Sequence, residues 1–364
     1  MKKATLGITL MLAAITLIAV FSAPAMAKVK GRCDNCHTMH YSQGGTQLST
    51  WGAEGPYNAL VVNTCLGCHT GDNVGGSSGS VTPYVMATSE PTYGTNTLAG
   101  GHFWWVSPSC IGPNCGDAKG HNVFLGHVDP LPYAPGGEFH GCSTRNCHKS
   151  LAELSNAGGD LDGRYGCHGC HLNPRHHADD SATVVGETGG WYRFLSGHLV
   201  AEGHGVEGIE DPTWQFVYNA NEHNEYLGLD MDKTGTGHMD KLAHTTTGYC
   251  TGCHGNFHIQ DTTQIGASPW IRHPSDAVLP TTGEYAGYTQ YDPLSPVARP
   301  SLPVAEPADV TPGVDMVMCL SCHRPHGSPY DDLLRWNYQD MQAGTSGDIN
   351  TGCFACHRNK DTGS

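Results

Sequence analysis

Cysteine and histidine recur in this chain in one fixed order. Cys33-x-x-Cys36-His37 is followed by Cys65-x-x-Cys68-His69, Cys167-x-x-Cys170-His171, Cys250-x-x-Cys253-His254, Cys319-x-x-Cys322-His323 and Cys353-x-x-Cys356-His357. A seventh occurrence, Cys142-x4-Cys147-His148, has a longer loop and the same Cys-His ending. Two thiols on one turn can add across the two vinyl groups of a haem, and the histidine directly after the second thiol reaches the iron as its proximal ligand. Two extra residues can bulge outward without moving the second thiol relative to that histidine. Zinc would need four ligands grouped in pairs and would not demand histidine after every second cysteine. The motifs use 14 of the 16 Cys, so the spacing implies seven covalently attached haem c groups rather than a disulfide framework.

Cys110 and Cys115 stand outside the pattern. The stretch from Ser109 to Gly116 has the x4 spacing but ends in Gly where His should be. Two readings follow: a local disulfide closing a Gly-Pro turn in an oxidising compartment, or an eighth haem whose proximal histidine lies elsewhere, at His102 or His121.

Seven of the 23 His are proximal, and 16 remain for the second axial position. Several motifs are followed at short range by another His: His40 after His37, His177 (or His176) after His171, His258 after His254, and His326 after His323. A histidine so close cannot easily fold back on the same iron, so it is expected to project toward a neighbouring haem. Further distal candidates are His121, His198, His223 and His273, whose Gly or Pro neighbours, where present, let the backbone approach a macrocycle. His102, His127, His140, His168, His204, His238 and His244 are held in reserve. Met39, Met316 and Met318 could ligate, but the surplus of His favours bis-histidine iron, which is six-coordinate, has no open position for substrate and tends to low potential.

The elements that must position these groups are weakly written. Hydrophobic residues make up 38% of the chain, and Gly and Pro are abundant at 48 and 22. That is thin material for the core of a chain this long, so the haems themselves are expected to fill the interior. The fold class expected is mostly irregular coil with short α-helices and little β-structure. Helical segments are predicted at 147–157 and 331–341. The Pro-rich stretch 280–312 reads either as an extended strap over the surface or as a flexible linker.

Lys2 and Lys3, an apolar run and the small-x-small ending Ala25-Met26-Ala27 form a secretory signal pattern over residues 1–27; a retained membrane anchor is the other reading of the run. No Cys follows the cleavage point, which argues against a lipid anchor. Residues 28–364 are expected to form one seven-haem body, with rough sub-blocks 28–135, 136–205 and 206–364. The formal charge of −15 becomes −17 when Lys2 and Lys3 leave with the leader. Such a balance argues against nucleic acid and anionic membrane surfaces. It suits cationic or mineral partners. Motifs close to both ends of residues 28–364 would let head-to-tail contacts bring terminal haems together, a heterologous geometry that builds open filaments.

The segments Cys33-Asp-Asn-Cys-His-Thr-Met-His40, Cys250-Thr-Gly-Cys-His-Gly-Asn-Phe-His258, Trp270-Ile-Arg-His-Pro274 and Cys319-Leu-Ser-Cys-His-Arg-Pro-His-Gly-Ser-Pro-Tyr330 resemble the doubled-CXXCH multihaem cytochromes of metal- and sulfate-reducing bacteria. Some members of that group polymerise into conductive extracellular filaments. The resemblance implies a non-enzymatic electron carrier at the cell surface, with other redox proteins, further copies of itself and a mineral or metal acceptor as partners. A soluble periplasmic shuttle is the alternative. A multihaem oxidoreductase is a third reading; it would need an open iron site or a CXXCK attachment, and no CXXCK occurs.

Overall fold

In the computed structural model, each CXXCH segment that is described forms one tight turn closed by the same hydrogen bond. The N–H of the proximal histidine donates to the carbonyl of the first cysteine: His37 to Cys33 (2.8 Å), His69 to Cys65 (2.9 Å), His171 to Cys167 (2.7 Å), His254 to Cys250 (3.0 Å), His323 to Cys319 (3.1 Å) and His357 to Cys353 (3.0 Å). The turns are 3-10 at Cys33–Asn35, Cys65–Gly67 and Cys319–Ser321, and α-helical at Cys167–Cys170, Thr246–Thr251 and Cys353–Cys356. One turn is enough, because two thiols three positions apart then share a face.

The structure describes residues 28–29, 31–39, 42–43, 46–47, 60–61, 64–73, 82–126, 131, 134–135, 150–156, 158, 162–197, 205–229, 244–254, 273–344 and 350–358. The signal pattern, His40, the Cys142/Cys147/His148 motif, His198 and His258 lie outside them, as do His127, His140, His204 and His238.

Strands are two or three residues long. β1 (Ser42–Gln43) and β2 (Thr46–Gln47) pair as a hairpin. β3 (Gly208–Ile209), β4 (Glu225–Leu227), β5 (Ala277–Val278), β6 (Ala298–Arg299) and β7 (Met316–Val317) form a five-stranded sheet in the order β3-β4-β6-β7-β5, with only the β4–β6 pair parallel. Coil with short helices and little strand is the fold class that the composition implied.

The sheet is small but it carries core. Tyr226, Ala298 and Met316 are register partners across β4, β6 and β7, and they cluster with Tyr192, Val206 and Met318. A second cluster joins Leu279, Tyr288, Tyr291, Val297, Val310 and Val317 to Ala355 inside the last motif. β7 runs through Met318 directly into Cys319. The sheet thus anchors the last two described motifs.

Expectations for three stretches are corrected. The stretch 280–312 is neither strap nor linker: Tyr288, Tyr291, Val297, Ala298 and Val310 are buried in these clusters, and β6 lies within it. Its prolines break the chain between core residues instead of lifting it to the surface. The helix predicted over 331–341 is two separate 3-10 turns, Asp331–Leu333 and Tyr338–Asp340, with extended backbone at Leu334 (φ −64°, ψ 151°). The backbone here serves the preceding motif: Arg324 N–H donates to Leu333 O (2.8 Å) and Arg335 N–H to Cys322 O (2.9 Å). Cross-chain bonds of this kind replace the i→i−4 bonds a helix would have made. The described part of the other predicted helix, 150–156, is also turn and coil.

Candidate haem-binding sites

The histidine rings are paired. His37 faces His177 (centroids 6.1 Å apart), His69 faces His176 (6.1 Å), His171 faces His326 (6.2 Å), His254 faces His121 (6.0 Å) and His357 faces His273 (6.2 Å). Direct stacking brings rings much closer, as His223 and Tyr291 show at 3.6 Å. Two imidazoles bound through nitrogen to one metal ion at roughly 2 Å per bond have centres about 6 Å apart. The five gaps are therefore the width of one axially ligated iron. In every pair one ring directly follows a CXXC.

The tautomers fit as well. Nδ1 of His69 donates to Pro83 O (2.8 Å), of His121 to Pro325 O (2.7 Å), of His171 to Arg193 O (2.9 Å), of His254 to Pro135 O (2.8 Å), of His273 to Pro274 O (3.0 Å) and of His323 to Asp332 O (2.7 Å). His357 Nδ1 donates to the Glu284 carboxylate (3.0 Å). A donor on Nδ1 leaves the Nε2 lone pair for a metal and fixes the ring's orientation. Burial also keeps the rings neutral. It holds His171, His176, His254 and His323 below the ordinary imidazole range, and pushes His326 down to about 3, with the neighbouring imidazoles of His171, His102 and His121 opposing a proton there as well. Only neutral imidazole ligates.

The short-range histidines that are described, His176, His177 and His326, project away from their own motif. His326, three residues past His323, meets His171, while His176 and His177 meet His69 and His37. The adjacent pair is set by the chain near the predicted mature terminus: Lys28 N–H donates to Ala178 O (3.0 Å) and Val29 N–H to His176 O (3.1 Å). Lys28 Nζ bonds Glu210 (2.7 Å) and Trp191 O (3.0 Å). Where the sequence left His176 as the alternative to His177, both are placed opposite a proximal ring.

His223 is spent elsewhere. Its Nδ1 contacts Asn224 O (2.8 Å) and its Nε2 contacts Pro307 O (3.1 Å), so neither nitrogen is left for an iron. Its Gly-free, polar surroundings gave no warning of that burial. His102 caps the turn Phe103–Val106 by accepting from Trp104 N–H (3.3 Å), and burial pushes it down to about 4. His244, a reserve histidine, carries the Nδ1–carbonyl bond of the ligand rings, to Gly205 O (2.9 Å). No short-range motif marks it in the sequence.

Attachment thiols of different motifs adjoin. Cys36 meets Cys68, Cys65 meets Cys167, Cys250 meets Cys319, and Cys322 lies beside Cys353 and Cys356. Tyr249 O–H donates to Cys170 O (2.5 Å), joining the third described motif to the fourth. The six described motifs thus follow one another in space as in sequence. Cys110 and Cys115 are joined as a disulfide (Cα–Cα 5.7 Å), and Ile111 at the tip of that loop is 95% exposed. Both thiols are consumed, which removes the eighth-haem reading. Among the described residues no helix is long and apolar enough to cross a membrane.

Repeated Cys-x-x-Cys-His turns, five of them with a histidine ring opposite, are the arrangement that covalent attachment of haem c through two thioethers and one proximal histidine requires. Residues 312–362, which hold the last two motifs, match the family model described as "Doubled CXXCH motif". The chain is similar, at 24% identity over 405 aligned positions, to the C-type cytochrome OmcS of Geobacter sulfurreducens, covering 93% of this chain and 86% of that one. Two solved structures were also matched. The Outer Membrane Cytochrome S filament from the same organism has 18% identity and a TM-score of 0.47, with 92% of each chain covered. The OmcS nanowires have 20% identity and a TM-score of 0.46, with 92% of this chain and 93% of that one covered.

Proposed function

We propose that this chain is an exported, seven-haem, bis-histidine electron carrier whose haems form one continuous path through a single haem-filled body, and that it works outside the cell by assembling end to end into filaments. The observation that carries the reading is the set of five histidine pairs at 6.0–6.2 Å, each with a proximal ring behind a CXXC turn. Haem c, when bound, supplies a one-electron couple at its iron and passes electrons to the next haem in reach. The residues of the chain do the rest. Each CXXC turn fixes two thiols on one face, and each Nδ1 donor bond orients its ring and raises the basicity of Nε2. The thiol contacts from Cys36–Cys68 to Cys322–Cys353 support haem-to-haem succession along the sequence.

No CXXCK interrupts the set, and at the five paired sites two rings would leave no coordination position for a substrate, which favours a carrier over a reductase. The similarity to a cytochrome described as a filament supports self-association and a place at the cell surface.

Two measurements test this. Intact mass of the exported protein should show seven haem additions on a chain beginning at Lys28, and electron paramagnetic resonance of the oxidised protein should show low-spin iron throughout. A high-spin signal from a stoichiometric fraction of the iron would return the oxidoreductase reading, and fewer than seven additions would remove the Cys142/Cys147 attachment.

A further inference from the structure

We infer that Arg324 and Arg335 are the fixed counter-charge of the haem attached at Cys319 and Cys322, and that they hold its reduction potential above those of the neighbouring haems. The inference rests on the haem reading of that motif. It concerns what this chain adds to one site.

Buried cations elsewhere in the fold have carboxylate partners. Arg299 pairs with Asp315, Lys28 with Glu210 (2.7 Å) and Lys119 with Asp331 (2.9 Å). Arg324 and Arg335 are at least as deeply buried, at 0% and 2% exposure, and among the described residues no carboxylate pairs with either. Arg324 Nη1 donates to Leu98 O (3.1 Å) and reaches Thr97 Oγ1 (3.5 Å), and Nη2 bonds the Tyr218 hydroxyl. Its guanidinium lies over the rings of Tyr93 (4.6 Å) and Tyr218 (5.3 Å), and its buried Nε has no partner. Arg335 Nε donates to Leu320 O (2.6 Å) and Nη1 to Pro293 O (3.4 Å). All of these acceptors are neutral. The two charges also repel each other, which adds to burial in lowering the Arg335 pKa. Tyr93 links them, its ring under Arg324 and its hydroxyl on Arg335 O (2.9 Å).

Two like charges in a dry interior without an anion are strongly unfavourable, and arginine cannot relieve the cost by losing its proton. Among the described residues no carboxylate is bonded to either guanidinium, and the group that this motif would hold carries two carboxylates. Position agrees: Arg324 directly follows His323, and Arg335 is bonded to Leu320 and Cys322 within the motif itself. The other ionisable groups in range are Asp292, near Arg335, and Asp332, whose carbonyl takes the His323 Nδ1 proton. Asp292 accepts from Leu294 N–H (2.8 Å), burial raises its pKa, and the Arg335 guanidinium bonds the Leu320 and Pro293 carbonyls rather than this carboxylate.

Fixed positive charge in low dielectric favours the iron state with less positive charge, which is the reduced one. The haem at Cys319/Cys322 then acts as a local electron sink between the motifs at Cys250 and Cys353.

The test is a spectroelectrochemical titration of haem-loaded protein, with the parent compared with Arg335→Gln, Arg324→Gln and Arg335→Lys. Either Gln substitution should make one haem midpoint fall, by about tenfold in its reduction equilibrium or ~59 mV for one electron, while the others hold. Arg335→Lys, which keeps the charge, should recover most of that shift. If one Gln variant fails to load haem, the other decides. An unchanged set of midpoints in a loaded Gln variant, or a uniform shift of all of them, overturns the inference. A parent protein whose Cys319–Cys322 peptide carries no haem mass overturns the underlying haem reading instead, and the two failures are told apart by that peptide.

Discussion

Six of the candidate ligand rings, those of His69, His121, His171, His254, His273 and His323, donate Nδ1 to a backbone carbonyl, and His357 donates to the Glu284 carboxylate. A carbonyl has no protonation state to lose, so each ring keeps its orientation across a wide pH range until the imidazole itself takes a proton. Burial sets where that happens. The folded-state pKa of His326 is pushed to about 3 against an ordinary value of 6.5, and those of His171, His254 and His323 are lowered in the same direction. An unfolded chain binds these protons already below about 6.5, so folding stability is full above that value and falls as pH drops toward 3. Iron ligation works in the same direction. Low-spin absorbance followed during acid titration should therefore hold at neutral pH and through mild acid, and be lost as stability falls toward pH 3. Loss that begins above pH 7 and reverses in acid would contradict the assignment of neutral ligand rings.

At the scale of elements, the attachment turns depend on what precedes them. Gly166 and Gly352 stand immediately before Cys167 and Cys353 at φ +58° and +61° with ψ near −130°, a region that residues with a Cβ avoid. They also lack room: a Cβ at Gly166 would lie 2.6 Å from Val123 O, and one at Gly352 would lie 2.7 Å from Met341 Sδ. Replacing either by Ala should cost about 1–2 kcal/mol in backbone strain alone, with the steric clash added. The expected outcome for Gly352→Ala is reduced occupancy of the last haem and a lower melting temperature, read by peptide mass and by calorimetry. Normal haem loading with unchanged melting would show that this turn does not need its glycine. The same dependence explains the lost helix at 331–341. Its leucine and aromatic spacing suits a helix, but Asp332 and Leu333 take positive φ so that their carbonyls can meet His323 and Arg324.

For the whole molecule, charge and connectivity act together. Residues far apart in sequence are bonded directly, as in Lys28–Glu210, Tyr93–Arg335 and Tyr249–Cys170. Each copy carries a strong negative charge, −15 over the full chain. Copies so charged repel one another over a Debye length of roughly 10 Å at 0.1 M salt. Filament growth, read by light scattering and electron cryo-microscopy, should therefore strengthen as ionic strength rises. Filaments with haems in contact across subunit boundaries are the expected structure. Discrete monomers confined to the periplasmic fraction at every salt concentration would make the protein a shuttle.

The attachment chemistry was legible in the sequence because it is local. Two thiols and a histidine on one turn need nothing beyond that turn, so the cofactor, the proximal ligands and a coil-rich fold follow from spacing and composition. The short-range histidines were legible in part, since proximity to one motif excludes that motif's own iron. What spacing leaves undetermined is which ring lies opposite which, because that joins residues as distant as His37 and His177 or His121 and His254. Tertiary packing alone decided those pairs. It placed His223 on two carbonyls away from any proximal ring, turned 280–312 into core, and buried Arg324 and Arg335 with no carboxylate among the described residues bonded to either. The physical reason is common to all of these: burial and pairing are set by what arrives from elsewhere in the chain, and no residue's neighbours in sequence report that.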